Sequence, residues 1–120
     1  MQQAVQTNHL SVAEEQAFQL SQSAIKLDQA RANRRKNPAA FVEALDHNLS
    51  VWMAVKTIAQ RAVPGFSLDI RNNLVKLSNF VSDTTFRGPD NIGDATIDTL
   101  ININLQISEG LLEALAKPQG

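Results

Sequence analysis

The sequence predicts an all-α fold, a small bundle of four main helices in which the first, second and last are long. Three observations carry this. Apolar residues recur at three- and four-residue spacing through each long segment, the pattern of a helix with one buried side. No run alternates with period two for long enough to make a strand. The 120 residues include five Phe, one Trp and no Tyr among many Leu, Ile, Ala and Gln, a balance that suits helices better than sheets.

Residues 1–10 are polar and Gln-rich and are expected to form a mobile N-terminal arm, with residues 11–117 as a single helical domain. Ser11 and Glu14 have capping-box spacing, so the first helix is expected from there to about Ala32. Ala13, Ala17, Leu20, Ala24 and Leu27 make an alanine-rich stripe along it. Phe18 and Ile25, seven residues apart, fall on a different face. Either both faces pack within the domain, or Phe18 and Ile25 meet a partner. Arg31, Arg34, Arg35 and Lys36 end this helix, where cations complement the helix dipole.

Asn37 followed by Pro38 marks a second start, with Asn37 as N-cap and Pro38 at the first helical position. This helix should run to about Ala62 and stop before Pro64-Gly65. Phe41, Ala44, Leu45, Val51, Trp52, Val55 and Ala59 form its inner face, with Asn48 near the middle. Ser67 caps a third helix, about Leu68 to Val81, whose heptad-spaced stripe is Ile70, Leu74, Leu77 and Val81, with Phe80 beside it. Ser82 to Gly93 is rich in turn residues and reads as a loop.

Asp94, or Asp90, caps the last helix, which should end near Lys117-Pro118. Its apolar side collects Ile97, Leu100, Ile101, Leu105, Ile107, Leu111, Leu112 and Leu115, with two polar residues, Asn104 and Ser108, in its midst. A buried amide without a partner costs a few kcal/mol. Asn48, equally central to the second helix, is the expected partner for Asn104, the two amides pairing side chain to side chain or capping the facing helix's backbone, in a contact that sets helix register more than it adds stability. Ile103 stands off this side with Thr96, Thr99, Gly110 and Ala114. Small residues at that spacing admit another helix closely, either the domain's own first helix or a partner. Leu45, Trp52, Leu77, Leu100, Ile107 and Leu111 are the expected core.

Composition narrows the function. Eleven basic against twelve acidic side chains give no overall field to attract nucleic acid or an anionic membrane. The absence of cysteine removes disulfides, thiolate metal sites and a Cys nucleophile. No apolar run reaches the roughly 20 residues of a membrane span, and Met1 to Leu10 lacks the basic and apolar regions of a secretory signal, so the expected compartment is the cytoplasm. His9 and His47 lack a second histidine at i,i+4, and Asp83, Asp90 and Asp94 lack the alternation of a calcium loop. No catalytic residue, metal site or cofactor is therefore expected, and the protein is read as a binding protein rather than an enzyme.

Three stretches together resemble the FlaF family of flagellar biosynthesis regulators of alphaproteobacteria. Ala44-Leu45-Asp46-His47-Asn48-Leu49-Ser50-Val51-Trp52 is similar to its Asn-x-x-Leu-Trp segment, with Val51 in place of Leu. Asp69 to Leu74, through Phe80-Val81, looks like the helix that follows. Leu100-Ile101-Asn102-Ile103-Asn104 with Glu109-Gly110-Leu111 is similar to the closing Leu-Ile-x-Ile-Asn and Gly-Leu pattern. The likeness spans about Gln3 to Leu112. Family members often carry Arg after both signature Asn residues; Leu49 and Leu105 stand there in this chain, replacing charge with apolar contact.

The resemblance implies an all-α cytoplasmic protein that binds flagellin and serves its synthesis and export as a chaperone, working alongside the FlbT-type translational regulator as a second partner. Flagellin segments that are amphipathic and unfolded before assembly would suit a helical groove. Phe18, Ile25, Leu49, Ile103 and Gly110 are the candidate partner-contacting residues. Two other readings stay open. One is direct contact of flagellin mRNA through Arg31, Arg34, Arg35 and Lys36, a weak signal without interleaved aromatic residues. The other is a structural adaptor among flagellar components.

Overall fold

Four α-helices follow one another without an intervening strand: α1 Gln2–Ala32, α2 Pro38–Gln60, α3 Leu68–Thr85 and α4 Asp94–Ala116, with a single 3-10 turn at Pro89–Asn91. The computed structural model describes residues 2–61 and 66–116, with side chains for residues 12–61 and 66–113. All statements of absence concern those residues. The expected stop at Pro64-Gly65, the side chains of Ala114 and Leu115, and the end at Lys117-Pro118 lie outside them.

The helix starts of α2 and α3 follow local chemistry. Asn37 Oδ1 accepts from the Ala40 amide at 3.1 Å, ahead of Pro38 in the first turn. Ser67 Oγ accepts from the Ile70 amide at 3.2 Å. Each satisfies one of the amides that a helix start leaves without a carbonyl.

Three boundaries differ from expectation. α1 begins at Gln2, so the segment expected as an arm has a helical backbone and Ser11 lies inside the helix rather than capping it. Gln and Ala are good helix formers, and extending an existing helix is far easier than starting one. α3 continues to Thr85 through residues read as loop. Its extra turn buries Thr84, and Thr85 Oγ1 donates back to Val81 O at 2.7 Å, so packing overrides the weak helix preference of Ser, Asp and Thr. Asp94 is the first residue of α4 rather than its cap, and Asp90 belongs to the 3-10 turn.

The helices pack in the order α4, α1, α2, α3, with α1 shared between α4 and α2 and α3 resting on α2. Ala13, Ala17 and Ala24 on the buried side of α1 let two helices approach it together, since interaxial distance depends on side-chain size at the contact. Leu20 and Leu27 fill the space between. Phe41, Leu45, Trp52 and Val55 enter the core from α2, Leu74 and Val81 from α3, and Ile97, Leu100 and Leu111 from α4. Leu77 and Ile107, expected as core, are half-buried against it. The Cα envelope measures 49 × 31 × 20 Å, about two helix diameters thick.

The turn between α3 and α4 is tied down. Ile92 is buried in the core, and Arg34 from the end of α1 donates to Ile92 O at 2.7 Å while its guanidinium stacks 4.9 Å from the Phe41 ring centre. Gly88, just before Pro89, has φ +90°, a conformation that costs other residues dearly.

Candidate functional site

Two features on α1 and α4 stand out: a polar network inside the core and an apolar strip directly outside it. The network begins at Trp52, which is fully buried. Its indole N–H donates to Asn104 Oδ1 at 2.8 Å. Asn104 Nδ2 donates to Leu20 O at 3.0 Å and to Asn48 Oδ1 at 2.7 Å. Asn48 Oδ1 also accepts from Ser23 Oγ at 2.8 Å. One turn further along α4, Ser108 Oγ donates to Ala17 O at 2.6 Å, and so accepts from Ser21 Oγ at 2.8 Å.

The structure thus brings Asn48 and Asn104 together and joins both to α1. Asn48 Nδ2 is buried without a partner, but turning its amide would set NH2 against the NH2 of Asn104, so the network dictates the orientation. Ser21, Ser23 and the Trp52 indole were not anticipated as members. Ser23 had a legible signal, since it falls three residues after Leu20 and four before Leu27, at the spacing of the buried stripe.

These bonds, with Arg31 Nη1 bonded to the Asp98 carboxylate at the opposite end, set α1 and α4 antiparallel. Ser21 and Ser108 mark the seam between them. Just beyond Ser21, on the solvent side, lie Phe18 and Ile25, 58% and 50% exposed. Just beyond Ser108 lie Leu105 and Leu112, 44% and 49% exposed. Both Leu residues were expected on the buried side of α4. They sit roughly 80–100° round the helix from its buried centre, by the 100° step per residue, on a side of α4 that no described helix covers. Four large apolar side chains therefore flank one seam, the kind of contiguous exposed surface that marks an interaction site.

The other candidate contact residues lie apart from this strip. Leu49 on α2 is half-buried. Ile103 is half-buried and packs against the core. Gly110 is exposed, and nothing lies within 4 Å of where a Cβ would stand, so no helix among the described residues uses its small size.

The basic cluster is partly engaged. Arg31 pairs with Asp28 and Asp98, and Arg34, besides Ile92 O, lies 3.6 Å from the Asp94 carboxylate. His47 lies with Lys26 and Glu43 in a cleft of about 360 Å³ between α1 and α2. Burial, helped by the charge of Lys26, pushes its imidazole below the usual histidine range, and its Nε2 is buried without a partner.

The family model described as flagellar protein FlaF matches residues 2–111. The chain belongs to the FlaF family. No curated protein and no solved structure matches it. Both signature Asn segments of this FlaF-family chain meet in the buried network, Asn48 and Trp52 from α2 against Asn104 from α4. Leu105, next to the second signature Asn, opens onto the strip. No helix of the described residues is long and apolar enough to cross a membrane.

Proposed function

We propose that this FlaF-family protein binds flagellin in the cytoplasm and supports flagellin synthesis and export as a chaperone. The observation that carries the reading is the strip of Phe18, Ile25, Leu105 and Leu112 along the α1/α4 seam, left open by every described element. An amphipathic flagellin segment laid there would fold as it binds and hide its own apolar stripe. The action is binding alone, with no bond made or broken. The FlbT-type translational regulator is a further candidate partner in the same pathway.

The structure lends less support to direct recognition of flagellin mRNA. Arg31 and Arg34 are held by carboxylates or backbone within the chain, which leaves Arg35 and Lys36 as the freer cations of that cluster. The test is titration of the purified protein with unassembled flagellin, followed by calorimetry and co-elution. A stoichiometric complex is expected; none at tens of micromolar overturns the reading.

A further inference from the structure

We propose that the α1/α4 strip is built for an amphipathic helix whose apolar stripe is bordered by lysine or arginine. The inference rests on the reading of this strip as a partner site and adds the chemistry of what fills it.

Spacing comes first. Phe18 and Ile25 are seven residues apart on α1, and Leu105 and Leu112 are seven apart on α4. Because the helices run antiparallel with Ala17 and Ser21 beside Ser108 and Leu20 beside Asn104, the four alternate along the seam as Leu112, Phe18, Leu105 and Ile25. At 1.5 Å per residue the strip runs roughly 15 Å, about three helical turns. Two rows with seven-residue spacing present holes that accept the stripe of a third helix, as in a coiled coil.

Charge decides what that helix carries. Glu14 of α1 and Glu109 and Glu113 of α4 are exposed around the Phe18–Leu112 end. At the Ile25 end stand Asp28 and Asp98, with Arg31 bonded between them. Lys26, although next to Ile25 in sequence, points into the cleft beside His47. Among the described residues the strip is bordered by an excess of negative charge, with its one cation already paired. A basic border on the incoming helix meets that field, and like charges opposed at an interface cost affinity. The same border argues against a second copy of this chain as occupant, because a two-fold contact would set this acidic rim against itself.

The test uses two synthetic peptides of identical apolar stripe, one bordered by Lys and one by Glu, and unassembled flagellin as a third titrant. The Lys peptide should bind at least about tenfold more tightly than the Glu peptide, lose affinity with added salt, and perturb the NMR signals of Phe18, Ile25, Leu105 and Leu112. Reversing the rim with Glu109→Lys and Glu113→Lys should shift the preference toward the Glu peptide. Leu105→Asp should abolish binding of both while leaving the melting temperature close to that of the parent. Equal binding of the two peptides, perturbation confined to α3, or self-association lost in Leu105→Asp overturns the proposal. Flagellin that binds the parent and Leu105→Asp equally overturns this site but leaves the flagellin reading standing. A Lys peptide that binds where flagellin does not leaves the site standing and removes the flagellin reading.

Discussion

Asn104 is the residue on which three helices depend. It serves the Trp52 indole, the Leu20 carbonyl and Asn48 at once, so removing it strands several buried polar groups. Asn104→Ala should destabilise by about 3 kcal/mol in urea unfolding, since each unsatisfied buried group costs about 1–3 kcal/mol. A double-mutant cycle with Asn48→Ala should show coupling of about 1 kcal/mol or more, as expected for residues in one buried network. His47 gives a second residue-scale prediction. Its imidazole is held below the usual range, first by burial and then by Lys26, so the folded protein binds that proton less well than the unfolded chain. The stability it permits is intact above the unfolded-state value of about 6.5. It falls as pH drops through that value and stops falling below the folded-state value. Thermal melts across this range should show a steeper acid loss in the parent than in His47→Gln.

At the scale of elements, α4 carries a glycine in its interior with open space around it. Gly110→Ala should therefore stabilise the free protein by about 0.5–1 kcal/mol, the helix-propensity gain, read as a higher melting temperature. If a partner helix approaches closely there, the same variant weakens binding while raising stability, a combination that assigns Gly110 to an interface. At the start of α2, Asn37→Ala should cost about 1 kcal/mol by freeing the Ala40 amide. Both helix starts in that part of the chain were legible because capping is local. The reach of α1 back to Gln2 and of α3 on to Thr85 was not, because the first depends on helix extension and the second on burial of Thr84.

At the scale of the molecule, core and strip respond differently to mutation. Trp52 is fully enclosed, so Trp52→Ala should destabilise by about 3–5 kcal/mol. Phe18→Ser and Leu105→Ser truncate side chains that are about half exposed and should each cost about 1 kcal/mol, well below Trp52→Ala, while weakening partner binding. Unfolding curves run beside flagellin titrations separate the two classes. The packing order puts α1 between α4 and α2, which makes α1 at once the hub of the core and one wall of the strip.

By itself the sequence determined the fold class, the four helices, the family and that Asn48 and Asn104 face a shared helix interface, because helical period, caps and an amide in an apolar stripe are local signals with few physical solutions. It also marked Phe18 and Ile25 as off the main stripe. Only the tertiary structure decided which helix each face meets. Leu105 and Leu112 share an apolar stripe with Leu100 and Leu111 in the one-dimensional pattern, yet the placement of α1 against Ser108 leaves them outside. The acidic rim likewise exists only once α1 and α4 lie antiparallel, since Glu14 is distant in sequence from Glu109 and Glu113. Periodicity shows that a residue lies on a face; which faces are covered depends on the direction in which the chain returns.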